Sequence, residues 1–293
     1  MKKWFGYGWL ALVLMACSLR DPSPADQVCL VTEIVRYAQQ GSDHQEISRQ
    51  QFGYENGKLT DYSEKAPNYS VSFKFQYIGG KVALAYTPDK SIRLSLDYDS
   101  LERIEKASYI VNDKECTVFS LYYASNDRLA RLAKLVETRV MLPTHSFIAS
   151  RTFQFSYRKI SETAEDLVFQ TVQNAYKDGS RSEEEFTFEQ QVDNHSPFYD
   201  SGQAVVLALL ALTNHTESDV GRYLQRFDCK SIQHQSVDAD GNVSLSETSQ
   251  FTTQFDNSYN PVLVNQFSRI TVPADTVPAD RQYLQTFLYN CVE

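Results

Sequence analysis

The residues whose types and spacing come nearest to a site of chemistry are Asp238, Asp240 and Glu247, in the run Ser236-Val237-Asp238-Ala239-Asp240-Gly241-Asn242-Val243. Laid on a calcium-binding loop of about twelve residues, Asp238, Asp240, Gly241 and Glu247 take positions three, five, six and twelve, where oxygen ligands and a sharp turn are needed. Position one is Ser236 rather than an acid, and the flanks alternate like strands, whereas such a loop needs helices. Asp240-Gly241 between two strands is also an ordinary hairpin turn, and that is the reading preferred; a metal at these three acids is the weaker alternative. The five histidines (His44, His145, His195, His215 and His234) are scattered and lack metal-ligand spacing such as HExxH. No Gly-x-Ser-x-Gly elbow offers an acyl-transfer serine. Glu183-Glu184-Glu185 reads as a solvated acidic run. Paired carboxylates for glycoside hydrolysis are non-local and leave no local signature. No cofactor is implied, and no catalytic residue is nominated.

The cysteines carry more information. Cys29, Cys116, Cys229 and Cys291 form no CxxC pair, which argues against a zinc ribbon or a thioredoxin-type motif. In an oxidising compartment two disulfides are expected among them, with connectivity open, and buried free thiols are the alternative. The fifth, Cys17, belongs to the leader region.

The elements that must position any site are strands. One phrase recurs: an apolar residue, a spacer, a tyrosine, a short polar turn, then a basic and an aliphatic residue. Phe52-Gly53-Tyr54 leads through Asn56-Gly57 to Lys58-Leu59, and Phe75-Gln76-Tyr77 through Gly79-Gly80 to Lys81-Val82. Looser copies centre on Tyr98, closing at Arg103-Ile104, and on Tyr123, closing at Arg128-Leu129. The four tyrosines are 23, 21 and 25 residues apart, which suits successive antiparallel hairpins. Asn-Gly and Gly-Gly supply the positive φ of tight turns. Tyr54, Tyr77, Tyr98 and Tyr123 are expected to form a buried ladder on one face of the sheet. Tyr69, Val71, Phe73, Phe75 and Tyr77 alternate on one face of a single strand. Arg128 to Val140 fits either a helical stripe or a strand, and the repeat favours the strand. Beyond a Pro-containing loop at 193–199, Ala204 to Leu212 is uninterruptedly apolar and poor in β-branched residues, and so reads as a short buried helix. The expected fold is mainly β and antiparallel, an open or strongly curved sheet of consecutive hairpins with one short helix packed on it.

Lys2 and Lys3 precede an apolar run from Trp4 to Ala16, too short to span about 30 Å of hydrocarbon and placed as a secretion signal. Leu14-Met15-Ala16-Cys17 resembles the lipobox of bacterial lipoproteins. That resemblance implies cleavage before Cys17 and its acylation. The organisation read is therefore a signal peptide at 1–16, anchor and tether at 17–27, and a β-rich domain at 28–293 with a possible subdivision near 193–202. Removing the leader takes two lysines and no acid, so the net charge moves from −9 to −11. A chain so acidic has no electrostatic footprint for nucleic acid. Asp99-Ser100-Leu101 and Asp275-Thr276-Val277 resemble the short O-glycosylation sequence of Bacteroidota envelope proteins.

With these motifs together, the chain resembles uncharacterised Bacteroidota lipoproteins whose β-rich domains carry degenerate copies of the YD repeat. Tyr54 through Leu59 and Tyr77 through Val82 match with Lys in place of Arg, and Tyr98-Asp99 keeps the acid. The resemblance brings no activity. The expectation is an outer-membrane-anchored lipoprotein, facing the periplasm, held to the membrane by its lipid and serving as a non-catalytic binding or scaffold protein. The alternatives are a carrier of an amphiphile on the concave face of a curved sheet, and an enzyme of unknown class.

Overall fold

The computed structural model describes residues 28–40, 43–160, 165–198, 203–213, 219–273 and 278–292. The signal peptide, Cys17, the tether and Asp275-Thr276-Val277 lie outside the described residues. Sixteen strands follow in chain order: β1 (Val28–Gln40), β2 (Asp43–Glu55), β3 (Lys58–Ala66), β4 (Tyr69–Ile78), β5 (Lys81–Tyr86), β6 (Ile92–Tyr98), β7 (Ile104–Val111), β8 (Glu115–Tyr123), β9 (Leu132–Met141), β10 (Ser146–Lys159), β11 (Glu165–Tyr176), β12 (Arg181–His195), β13 (Phe227–Val237), β14 (Val243–Phe255), β15 (Pro261–Thr271) and β16 (Ala279–Val292). Between β12 and β13 lie two helices, α1 (Ala204–Thr213) and the single turn α2 (Gly221–Leu224).

Each strand pairs antiparallel with its sequence neighbours, and β1 pairs with β16, so the sheet is a closed barrel. This corrects the expectation of an open or curved sheet, and with it the picture of YD-type hairpins on such a sheet. The physical reason is that closure leaves no strand edge unpaired, while the alternation of side chains along each strand is the same in either architecture. At the seam Cys29 and Cys291 are register partners and are joined as a disulfide. Cys116 and Cys229 are free thiols, so one disulfide forms where two were expected.

Alternation settles the two faces. On β4, Val71 and Phe73 are buried inside while Ser70, Ser72, Lys74 and Gln76 are exposed outside. On β14 the exposed residues are Thr248, Gln250, Thr252 and Gln254, and on β12 Phe186 and Phe188 point inward between exposed Thr187 and Glu189. Asp97 lies beside Lys106 on the outer wall close to the tyrosine end of β6 and β7, and both are exposed. A barrel of sixteen strands is too wide for wall side chains to fill, and here the filling comes from the β12–β13 connection. Helix α1 is apolar all round, and its residues from Val206 to Thr213 are buried. A helix of that kind must be surrounded on every side. It shares one core with inward-facing Leu59, Phe73, Leu94, Phe119 and Phe153. It therefore stands within the lumen, not against one face of a sheet as expected. The chain returns past α2, where Gly221 N–H donates to Gln170 Oε1 at 2.8 Å.

The tyrosine phrase has a definite place in this barrel. Tyr54, Tyr77, Tyr98 and Tyr123 end the even strands β2, β4, β6 and β8, each just after a register shift that adds local twist. They are half-buried, and not fully buried as a core ladder requires. Successive copies are linked through the odd strand between them. Tyr77 O–H donates to Leu59 O (2.9 Å), Tyr98 to Val82 O (2.8 Å) and Tyr123 to Ile104 O (2.9 Å). The basic residue of one copy lies over the next ring: Lys58 over Tyr77 at 5.5 Å, Lys81 over Tyr98 at 5.3 Å and Arg103 over Tyr123 at 4.4 Å. Such contacts contribute about 0.5–1 kcal/mol each. Arg131 over Tyr157 at 5.8 Å extends the series to β10.

A Cβ at Gly221 would lie 2.8 Å from Gln170 Oε1, Leu167 Cδ2 and Phe188 Cζ. Gly221→Ala is expected to destabilise by about 1–3 kcal/mol through overpacking, measured as a lowered urea midpoint. In oxidised, denatured protein Cys116 and Cys229 should be alkylated and Cys29 and Cys291 protected. Cys29→Ser should lower stability by up to about 5 kcal/mol on a chain-entropy reckoning.

Candidate functional site

The hairpin turns at the plug end of the barrel, where β1 begins and β16 ends, belong to the tyrosine rim. Between that rim and the first turn of α1 is an open cleft of about 470 Å³, lined by Tyr98, Tyr123, Tyr157, Lys81, Arg103 and Arg131 among others. Its cations are already engaged: Arg103 pairs with Asp99 at 2.7 Å and Lys81 with Glu102 at 3.0 Å.

A second cavity is inside the lumen. Helix α1 and the chain around α2 fill only part of the interior, and beside them a well of about 500 Å³ remains against β1–β3 and β12–β16. Its floor is at the plug end, where the returning chain joins β13 at Gln225, Phe227 and Asp228. It extends toward the opposite end, where Ile47, Ser48 and Ala66 line it.

Its walls mix two chemistries. Phe186, Phe251, Val264 and Phe287 supply apolar surface, and polar groups are held between them by hydrogen bonds. Arg36 donates to Gln266 Oε1 at 3.2 Å and lies 4.3 Å over the Tyr283 ring. Gln266 in turn donates to Ser249 Oγ (3.1 Å) and Ser268 Oγ (2.9 Å). Glu247 accepts from Ser249 at 3.1 Å, and Glu64 accepts from Tyr62 O–H at 2.9 Å. His234 stacks flat on Phe186 at 4.3 Å, with its Nε2 3.2 Å from Glu184. Glu184 also accepts from Asn174 at 3.2 Å. So the middle acid of Glu183-Glu184-Glu185 faces the lumen, contrary to the expectation of a solvated run.

The floor is pinned by Asp166, a fully buried residue of β11 that accepts from the backbone N–H groups of Arg226 (2.8 Å) and Phe227 (2.9 Å). That clamp fixes the next residue, Asp228. Asp228 is 7% exposed, and its Oδ2 accepts no hydrogen bond within the protein. Burial pushes its carboxyl up to about 6. Gln225, 5% exposed, has its Nε2 without an acceptor. Buried polar atoms left this way are rare and call for an explanation.

The acids singled out by calcium-loop spacing are not brought together. Asp238 Oδ1 accepts from the N–H groups of Asp240 (2.9 Å) and Asn242 (2.8 Å), closing the β13–β14 turn. Asp256 does the same for Ser258 and Asn260 at the β14–β15 turn. Glu247 stands apart, inside the lumen. Among the described residues no group of three or more His, Cys, Asp or Glu could hold a metal ion. Cys17 lies outside the described residues. Asp228, Gln225 and Arg36 carry no sequence signal, because only barrel closure and the plug bring them to one cavity.

No family model matches the chain, and no curated protein matches it. Solved structures do. A porin-like protein from Bacteroides uniformis superposes with a TM-score of 0.56 at 10% identity, over 89% of this chain and 96% of that one. A porin-like protein from Bacteroides vulgatus gives 0.51 at 11% identity, over 89% and 98%. The chain shares its fold with porin-like barrels. At such identity the likeness concerns the fold alone. Two features of this chain differ from what a membrane channel needs. Its outer wall along β4, β12 and β14 carries Ser, Thr, Gln and charge, with apolar residues such as Leu288 and Phe267 exposed on other strands, where a spanning barrel presents an apolar band about 25 Å tall. Its lumen is occupied by α1. No helix among the described residues is long and apolar enough to cross a membrane.

Asp228 supplies the test of this geometry. Its folded pKa of about 6 lies above an unfolded value of about 3.9. The folded state therefore binds the proton more tightly, and the stability this gives is present below about pH 4 and lost as pH rises through 6. Asp228→Asn should raise stability at pH 7.5 by about 2–3 kcal/mol. The advantage should vanish near pH 4, as read from paired denaturation curves of variant and wild type.

Proposed function

We propose that this chain is a lipid-anchored, non-catalytic binding protein of the bacterial envelope, a barrel that stays in water and holds its ligand in the lumen well. The observation that carries the reading is the arrangement of the two faces: apolar inside around α1, and polar outside along β4, β12 and β14. Placing Lys or Arg at the bilayer midplane costs a spanning barrel about 2–4 kcal/mol each. Lys74 stands exposed on the outer wall near the middle of β4. The porin-like fold and the lipobox-like Leu14-Met15-Ala16-Cys17 both support an envelope address.

The anchor also orients the barrel. β1 begins at the plug end, so a tether of residues 18–27 holds that end within about 35 Å of the membrane. The far end of the well then points away from it. Ser18 after the Cys, with no acidic run following, favours the periplasmic face. The amphiphile-carrier alternative is weakened because its apolar concavity is already filled by Val206 to Leu212.

Residues 18–293 should remain in solution and monodisperse without detergent. The full chain should partition with membranes, and Cys17→Ala should move it to the soluble fraction. A need for detergent in the anchor-free chain, or membrane partitioning of Cys17→Ala, would sink the reading.

A further inference from the structure

From the well's chemistry, and resting on the reading of the lumen as a binding site, we infer that its ligand is a small organic cation. It is an ammonium group on an apolar or aromatic body, with a hydroxyl or carbonyl oxygen beside it, bound by Asp228 and Gln225 at the floor. Three observations lead there.

First, the unpaired atoms are complementary to such a group. Asp228 Oδ2 is an acceptor and Gln225 Nε2 a donor, both on side chains more than nine-tenths buried, and both residues line the same floor. A carboxylate buried without a counter-charge is costly. An ammonium ligand supplies that charge, and its neighbouring oxygen accepts from Gln225.

Second, the lining is acidic. Glu64, Asp219, Asp228 and Glu247 face two guanidiniums, Arg36 and Arg222, an excess of two negative charges with His234 neutral. Both arginines are already engaged: Arg36 donates to Gln266 and lies over the Tyr283 ring, and Arg222 donates to the hydroxyl of Tyr223 and lies over its ring. An anionic ligand would meet four carboxylates and gain little from those two cations.

Third, the walls suit the rest of the molecule. Phe186, Phe251, Phe287 and Tyr223 bound a volume of about 500 Å³, within the range of small-molecule sites. Aromatic faces attract cations electrostatically and bury apolar bodies without penalty.

Three matched probes test this by calorimetry on residues 18–293, a form that contains the whole barrel of 28–292. They are 2-amino-1-phenylethanol, the neutral 1-phenyl-1,2-ethanediol and the anionic mandelate, all at pH 7.5 and low salt. The amine is expected to bind at least tenfold more tightly than either analogue. Asp228→Asn should weaken the amine at least tenfold while leaving the diol unchanged. That variant is expected to fold at least as stably as wild type, so its loss of binding cannot be a loss of fold. Binding of the diol or mandelate as tight as the amine, or an amine affinity indifferent to Asp228→Asn, overturns the cation and leaves a lumen site. Binding of none of the three overturns both.

Discussion

The width of the lumen is the constraint on which everything else depends. Sixteen strands enclose more space than inward side chains can close, and in water an apolar interior of that size must be filled. Ten residues of helix do this. Ala204–Thr213 carries no charge and no amphipathic stripe because it meets wall on every side. The inward faces of β3 to β11 are mostly apolar where they meet α1, and they also bury the Arg151–Glu137 ion pair between β9 and β10. The mutual requirement is sharp at Gly221, where the returning chain passes so close to Leu167, Gln170 and Phe188 that even a methyl group has no room. Closure and plugging are thus one event. Without α1 the closed wall would surround a void or a water-filled apolar pore, and without closure α1 would expose most of its surface.

The plug does not occupy the whole interior, and the well remains beside it. The plug serves the β3–β11 side with apolar packing and leaves the β12–β16 and β1–β3 side to side-chain hydrogen bonds. There the polar residues are organised in chains, as from Arg36 through Gln266 to Ser249 and Glu247. Such chains satisfy buried groups in place of water and make the wall rigid. The well is what remains between a packed half and a hydrogen-bonded half.

Much of this was legible in the residues, and the remainder was not for a definite reason. The tyrosine phrase marks the hairpins because its turn chemistry, its alternation and its cation over the next ring are all local. Arg128 to Val140 resolves as β9 because the Asp127 side chain closes the preceding turn, accepting from Leu129 N–H at 2.8 Å. The Ala204 to Leu212 run announces a buried helix by composition alone. Closure, in contrast, is one pairing between residues 28–38 and 283–292, and alternation is the same whether it forms or not. Its trace in the sequence is a pair of cysteines near the two ends, Cys29 and Cys291, whose connectivity spacing leaves open. Once the ends meet, the helix has only one place to go. The floor of the well inherits that opacity, since Asp228, Gln225 and Arg36 become neighbours of one cavity only after closure.

The floor also shows how stability and binding are traded within one barrel. Asp166 and Asp228 are both buried acids at the point where the plug rejoins the wall, yet their surroundings differ. Asp166 is ringed by backbone donors from Leu167, Arg226 and Phe227, the arrangement that best offsets burial of a carboxylate. Asp228, two residues past Arg226, keeps one buried oxygen without a hydrogen-bond partner. An asparagine or a leucine there would satisfy the fold at less cost. A buried acid with a raised pKa on a cavity wall is the kind of locally unfavourable choice that accompanies a binding role. The structural acid and the binding acid are therefore told apart by what surrounds them, not by their burial.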